Sequence, residues 1–383
     1  MSDAAPSRAV PQSSPGRDYQ LHQEEIDAAI RRALDSGWYI LGTEVREFEA
    51  EFAAFLGLRD SVGVANGTDA LELALRGIGI GPGDAVYTVS HTAVATVAAI
   101  ERTGAIAVLV DIDPATYTLD PVALATAIAA DTRPGGNRPA AVIAVHLYGQ
   151  MAAMPAILDV AHGAGLLVVE DCAQAHGARL QGTMAASWGD IASFSFYPTK
   201  NLGALGDGGA VATNDTAVAQ RVRELRQYGW RERYVSAIPG INSRLDELQA
   251  AVLRAKLVHL AADNARRRAI AARYDAALAS CGLSLPFCAE GAEHVYHQYV
   301  VRTARRENLM SWLSERGVGS AIHYPVPVHL QPAYQNRLPI PRPLPATESA
   351  AAEVTSLPIF SSLTDLEVDR VVEAILEWTR TSP

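Results

Sequence analysis

The chain has 383 residues, 49% of them hydrophobic, and a formal net charge of −10. That is enough apolar material for a large core shared by two or three domains. The acidic balance argues against a general nucleic-acid or anionic-membrane surface. Cys172, Cys281 and Cys288 are too few and too scattered for a disulfide framework or a Cys-based zinc site, and reduced thiols fit a cytoplasmic enzyme.

Residues 1–20, rich in Ser, Pro and Ala at the start, read as a mobile lead-in without the charged start and apolar core of a signal peptide. A cytoplasmic location is therefore expected, and no apolar run is long enough to span a bilayer. Helical spacing from Leu21 to Leu34 and from Thr43 to Phe55 predicts two amphipathic helices, with the glycine-bounded link Gly37–Gly42 between them. Short apolar runs follow at Ser61–Ala65, Ala85–Val89, Ile106–Val110, Ala141–Val145 and Leu166–Val169, each succeeded by a helical pattern. This alternation predicts an α/β domain with parallel strands and right-handed crossovers, whose ligand sits at the carboxyl ends of the strands.

The residues just after these runs carry the chemistry. After Val64-Ala65 comes Asn66-Gly67-Thr68-Asp69, where Gly67 permits close backbone approach and the following amides open a helix whose positive end favours a phosphate; a plain N-cap would use the same residues. His146-Leu147-Tyr148-Gly149 puts a polar pair on the same rim. After Leu166–Val169 stands Glu170-Asp171-Cys172-Ala173-Gln174-Ala175-His176-Gly177. A buried strand-end Asp171 needs a cationic partner, either an arginine or a protonated ring nitrogen.

Only two of the 32 basic side chains are lysines, Lys200 and Lys256. Lys200 lies between the apolar Ser193–Tyr197 stretch and a glycine-rich turn. An amine there can lose its proton and attack a carbonyl, which a guanidinium cannot do. Lys200 as imine former, Asp171 as anchor for a ring nitrogen, and Ser195 with Gly67 and Thr68 around a phosphate together describe pyridoxal phosphate.

From about Leu21 to the end, the chain resembles the DegT/DnrJ/StrS-type sugar aminotransferases. The strongest pieces are Glu170–Gly177, Ser195–Gly209 and Gly240–Ala250. The resemblance implies a fold type I pyridoxal-phosphate transferase, with a large domain at 21–255 built on a mostly parallel seven-stranded sheet. A smaller α+β domain follows at 256–383. It implies that Lys200 bonds the cofactor and shuttles the proton, that Asp171 pairs with the pyridine nitrogen, and that Gln174 lies near the phenolic oxygen. Gly67, Thr68 and Ser195 would hold the phosphate. An Asn at position 242 would reach the phosphate of a neighbouring subunit, giving a homodimer with shared active sites. Where relatives often stack an aromatic residue on the ring, this chain has Ala93, so either His91 covers the ring or that face is less tightly packed.

In the last hundred residues a strand is expected at His297–Arg302, a helix near Glu307–Glu315, and a proline-rich loop over the substrate. His323, Tyr324 and His329 are its substrate-side candidates, with packing as the competing role. Two histidines six apart with no carboxylate pair nearby make a poor metal site, and no metal is expected. The implied reaction moves an amino group from L-glutamate to a nucleotide-linked keto-deoxysugar, with a dTDP-3-keto-6-deoxyhexose the leading acceptor. A 4-keto sugar or a cyclic ketone would use the same core. A cofactor-binding regulator would need a DNA-binding segment, and no basic patch supplies one.

Overall fold

The structure, a computed structural model, describes residues 9–130 and 138–381. Among these, no helix is long and apolar enough to cross a membrane. Five apolar runs become β1 (Asp60–Val64), β2 (Asp84–Val89), β3 (Ile106–Val110), β4 (Arg138–Val145) and β5 (Leu167–Asp171). A small hairpin, β6 (Arg179–Leu180) and β7 (Thr183–Met184), stands outside the main sheet, which is completed by β8 (Ile191–Ser195) and β9 (Gly209–Thr213).

The seven-stranded order is β1-β9-β8-β5-β4-β2-β3. Pairings β2/β3, β2/β4, β4/β5 and β5/β8 are parallel, while β9 runs antiparallel to both β8 and β1. Sheet strands buried on both faces read as continuous apolar runs, which is why the pattern located them. The reversal has a simple cause. A parallel neighbour needs a crossover of a dozen or more residues, usually a helix, to carry the chain back to the starting edge. The segment between Ser195 and Gly209 contains no helix, so the chain turns at the same edge and returns.

Helices Gln23–Asp35 and Thr43–Leu56 match the two expected at the start. The lead-in differs from expectation where it is described. Val10 is fully buried and pairs parallel with Val318, and its amide donates to Gly317 O at 2.7 Å. Pro15–Leu21 is helical, and Arg17 pairs with Glu367 at 2.8 Å. An apolar anchor and an ion pair offset the entropy of ordering this segment. Residues 1–8 lie outside the described residues.

A second core gathers Ile270, Tyr274, Tyr299, Leu313, Ile359 and Trp378 with Val10. It surrounds the antiparallel pair Tyr299–Arg302 with Val354–Leu357, and the predicted helix appears as Arg306–Glu315. Helix Leu260–Leu278 joins the cores, since Leu260 packs in the first and Ile270 in the second. We propose the domain division after residue 255, just ahead of that helix.

Candidate active site

The carboxyl edge of the sheet borders a cavity of about 550 Å³. Gly67, Thr68, Ala93, Asp171, Gln174, Ser195 and Lys200, all singled out in the sequence, line it together. Each ends or follows a strand or opens the helix after it, so the fold delivers them to one place.

At the end of β1, Asn66 caps helix Gly67–Gly77: its Oδ1 accepts the Asp69 amide at 2.9 Å. That bond leaves the Gly67 and Thr68 amides, at the positive end of the helix, without an acceptor among the described residues. Gly67 is required by space. A Cβ there would stand 2.6 Å from Ser195 Cβ and 3.0 Å from Ser195 Oγ. The result is a cradle of two amides and one hydroxyl.

At the end of β5, Asp171 is 5% exposed. Its Oδ2 accepts from Thr96 Oγ1 at 3.1 Å and its Oδ1 from the Ala173 amide at 3.2 Å. Burial pushes its carboxyl above the usual range, while those two hydrogen bonds and the Lys200 charge pull the other way. Lys200, half-buried as a residue, is lowered to about 8 because burial penalises the ammonium, and the Asp171 charge restores only part of that loss. An amine in that range is a usable base and nucleophile near neutral pH.

A second layer of hydrogen bonds fixes the rim. Gln174 Oε1 accepts the Tyr148 amide at 2.7 Å, and its Nε2 donates to Tyr324 Oη at 3.1 Å. Tyr148 Oη donates to the His323 carbonyl and accepts from His91 Nε2 at 2.8 Å. Tyr324 is thereby tied to the cavity wall through Gln174. His323 faces a different hollow, and its Nδ1 bonds Ser356 Oγ at 2.8 Å.

Three further expected residues lie outside this cavity. His329 does not reach the cavity: it is buried, with Nδ1 on Ser90 Oγ at 2.7 Å and Nε2 near Glu348 at 3.3 Å, so it fastens the proline-rich loop to the end of β2. His91 does not line the cavity beside Ala93; it packs edge-on to Tyr148, and burial lowers it to about 4, which keeps it neutral. Asn242 sits in a neighbouring hollow that shares Asn66 and Asp207 with the main cavity, and it does not line the main cavity within one chain.

Sequence reasoning also missed Thr96, the hydroxyl on Asp171, and the hub role of Tyr148. A threonine one turn inside an apolar helix after β2 was a weak signal; Tyr148 had been noticed only as a rim residue. Among the described residues, one group has metal-ligand composition: His146, Glu170 and Cys172. Two of its three members are already committed. Glu170 accepts from His146 Nε2 at 2.9 Å and from the Ala186, Trp188 and Gly189 amides, while His146 Nδ1 accepts the Ala152 amide at 3.1 Å.

Comparison with known proteins accords with this geometry. The chain is 48% identical over 379 residues to the dTDP-3-amino-3,4,6-trideoxy-alpha-D-glucose transaminase of Streptomyces venezuelae, covering 99% of this chain and 98% of that protein. It is 46% identical over 354 residues to the dTDP-3-amino-3,6-dideoxy-alpha-D-galactopyranose transaminase of Aneurinibacillus thermoaerophilus, covering 92% and 95%. The crystal structure of S. venezuelae DesV in complex with a ketimine intermediate superimposes with a TM-score of 0.92, covering 97% of this chain and 98% of that one at 48% identity. Residues 20–376 match the DegT/DnrJ/EryC1/StrS aminotransferase family, and the chain belongs to that family of sugar aminotransferases.

Proposed function

We propose that this chain is a pyridoxal-phosphate-dependent transaminase that moves nitrogen from L-glutamate to a nucleotide-linked keto-deoxysugar, a dTDP-3-keto-6-deoxyhexose, giving an aminosugar nucleotide. The observation that carries the reading is the meeting of Lys200, Asp171 and the Gly67–Ser195 cradle around one cavity. The printed names of the S. venezuelae and A. thermoaerophilus relatives, both dTDP-3-amino sugar transaminases, support a 3-keto acceptor.

The residues fit the cofactor. The cradle has the space and the donors for a phosphate, and the missing Cβ at Gly67 keeps it open. Asp171 offers a carboxylate to a ring nitrogen, and Ala93 leaves one wall free of aromatic cover. When bound, the cofactor supplies an aldehyde carbon for nitrogen and a conjugated ring that accepts electrons. Asp171 would hold a proton on the ring nitrogen through charge and hydrogen bonding. Lys200, on the same cavity, would hold the aldehyde carbon through Nζ and would move the proton to and from the substrate carbon there. Gln174 and Tyr148 fix Tyr324 at the rim, where the sugar enters.

A cytoplasmic homodimer is part of the proposal. Trp38, Tyr39 and Ile40 are 63%, 49% and 40% exposed, and Tyr234 and Val235 of a short hairpin are 72% and 57% exposed. Apolar surface of this kind is costly in water and suits a second copy, which would bring its Asn242 to the phosphate. Sedimentation should give twice the chain mass. Product NMR after incubation with L-glutamate and the dTDP-keto sugar should place nitrogen at C3; nitrogen at C4 would overturn the acceptor assignment.

A further inference from the structure

Lys200 stands on the turn between β8 and β9, with its amine at the end of a flexible four-carbon stem. Asp171 acts on that amine by charge, but among the described residues no hydrogen bond holds it. Where the amine reaches therefore depends on the backbone beneath it. The next residue, Asn201, is buried outside the cavity and makes three bonds with its side chain. Its Nδ2 donates to Asn264 Oδ1 at 2.8 Å and to the Val295 carbonyl at 3.0 Å, and its Oδ1 meets His297 Nδ1 at 3.2 Å.

Two backbone carbonyls settle the direction of every bond. A carbonyl only accepts, so Val295 fixes which end of the Asn201 amide is nitrogen. The His176 carbonyl does the same for Asn264, whose Nδ2 donates to it at 2.8 Å. Asn201 Oδ1 can then only accept, so His297 carries its proton on Nδ1. Gly177 leaves room for this packing: a Cβ there, at φ +81°, would stand 3.0 Å from Asn264 Nδ2. Asn201 is thus tied to helix Leu260–Leu278 and to the segment just before strand Tyr299–Arg302. Buried groups paired in this way hold one arrangement, and removing a member leaves its partners unsatisfied.

The network brings no second charge to the amine. Among the described residues, the titratable groups coupled to Lys200 are Asp171, His176, His297 and His323. Burial, with the Lys200 charge added, lowers His176 to about 3, His323 to about 4 and His297 well below the usual imidazole range, so the three rings are neutral.

We infer that Asn201 is a positioning residue for Lys200, setting through Asn264, Val295 and His297 the place on the cavity wall from which the amine acts. The inference deepens the transaminase reading above, on which its catalytic consequence rests.

Acetic anhydride is the first probe, because it acylates a neutral amine without any cofactor. The cofactor-free, full-length protein is acetylated briefly at a series of pH values, and the Lys200 peptide is weighed by mass spectrometry. In the wild type the rate should rise with a midpoint of about 8. Asn201→Leu keeps the size and loses the three bonds, so the loosened turn lets the amine reach water. Its midpoint should rise by about one pH unit or more, toward that of an ordinary lysine. Asn264→Leu removes the shared partner from a different element and should do the same, so a packing fault at position 201 does not spare the idea. Pyridoxal phosphate is the second probe. With the amine neutral, its capture by both variants, followed by absorbance and scaled to the folded fraction, should be about tenfold slower, since a displaced amine meets the aldehyde out of line. A midpoint that stays at about 8 in both variants, with capture as fast as in the wild type, would reduce the network to scaffold and overturn the inference. A raised midpoint in the variants of a protein whose wild type captures no pyridoxal phosphate would sustain the positioning role and sink the transaminase reading.

Discussion

Glu170 and Asp171 are consecutive residues on β5, both buried, and they do opposite things. Their side chains leave opposite faces of the strand. Glu170 points into a closed pocket where four donors meet its two oxygens. Asp171 points into the open cavity with two donors and unspent accepting capacity, facing Lys200. Burial alone does not distinguish structure from chemistry; the unused hydrogen-bonding capacity does. The two lysines repeat the lesson. Lys256 Nζ donates to the Gly203 carbonyl at 2.6 Å and steadies the turn after Lys200, whereas the Lys200 amine faces the cavity.

Substitutions can break this contrast in order of effect. Lys200→Ala should lower turnover by about 10³-fold or more with the thermal midpoint unchanged, because it removes both the nucleophile and the proton carrier; near wild-type turnover would contradict the assignment. Asp171→Asn should cost about 10²-fold in turnover without loss of stability, since an amide is cheaper to bury than a carboxylate. Glu170→Gln is the converse test. Its amide nitrogen would face donors whichever way it turns, so chemical denaturation should show a loss of about 3 kcal/mol with turnover per folded molecule little altered. A silent Glu170→Gln variant would erase the distinction.

The smallest effect is on pH. Attack on an aldehyde needs neutral Lys200, whose pKa in the cofactor-free protein is about 8. Below that value the rate of cofactor capture, followed by absorbance, should fall about tenfold per pH unit, and above it the rate should level off. Asp171 favours the ammonium, so Asp171→Asn should move the midpoint to lower pH. A midpoint near that of free lysine would contradict a buried amine.

Much of this site was legible because strands buried on both faces advertise their ends. Reading the ends of the apolar runs yields Gly67, Asp171, Ser195 and Lys200, the family resemblance adds Gln174, and those residues line one cavity. What escaped the reading depends on contacts distant in sequence. Thr96 meets Asp171 across 75 positions, and His329 is drawn away from substrate by Ser90, 239 positions away. The reversed β9 was hidden because its direction is set by the loop before it and leaves no mark on its own pattern. Arg267 stands within the run Arg266-Arg267-Arg268, in the midst of a long helical pattern. Helical spacing could have flagged it, since it shares a face with Asn264, Ile270, Ala271 and Tyr274, all buried.

With only two lysines in the chain, the central claim has a direct test. The protein loaded with pyridoxal phosphate is reduced with borohydride, before and after exposure to L-glutamate, and its peptides are weighed by mass spectrometry. The account predicts a pyridoxyl group on Lys200 alone, and its loss once glutamate has converted the cofactor to its free amine form. A label on Lys256, or one on Lys200 that glutamate leaves untouched, would contradict it.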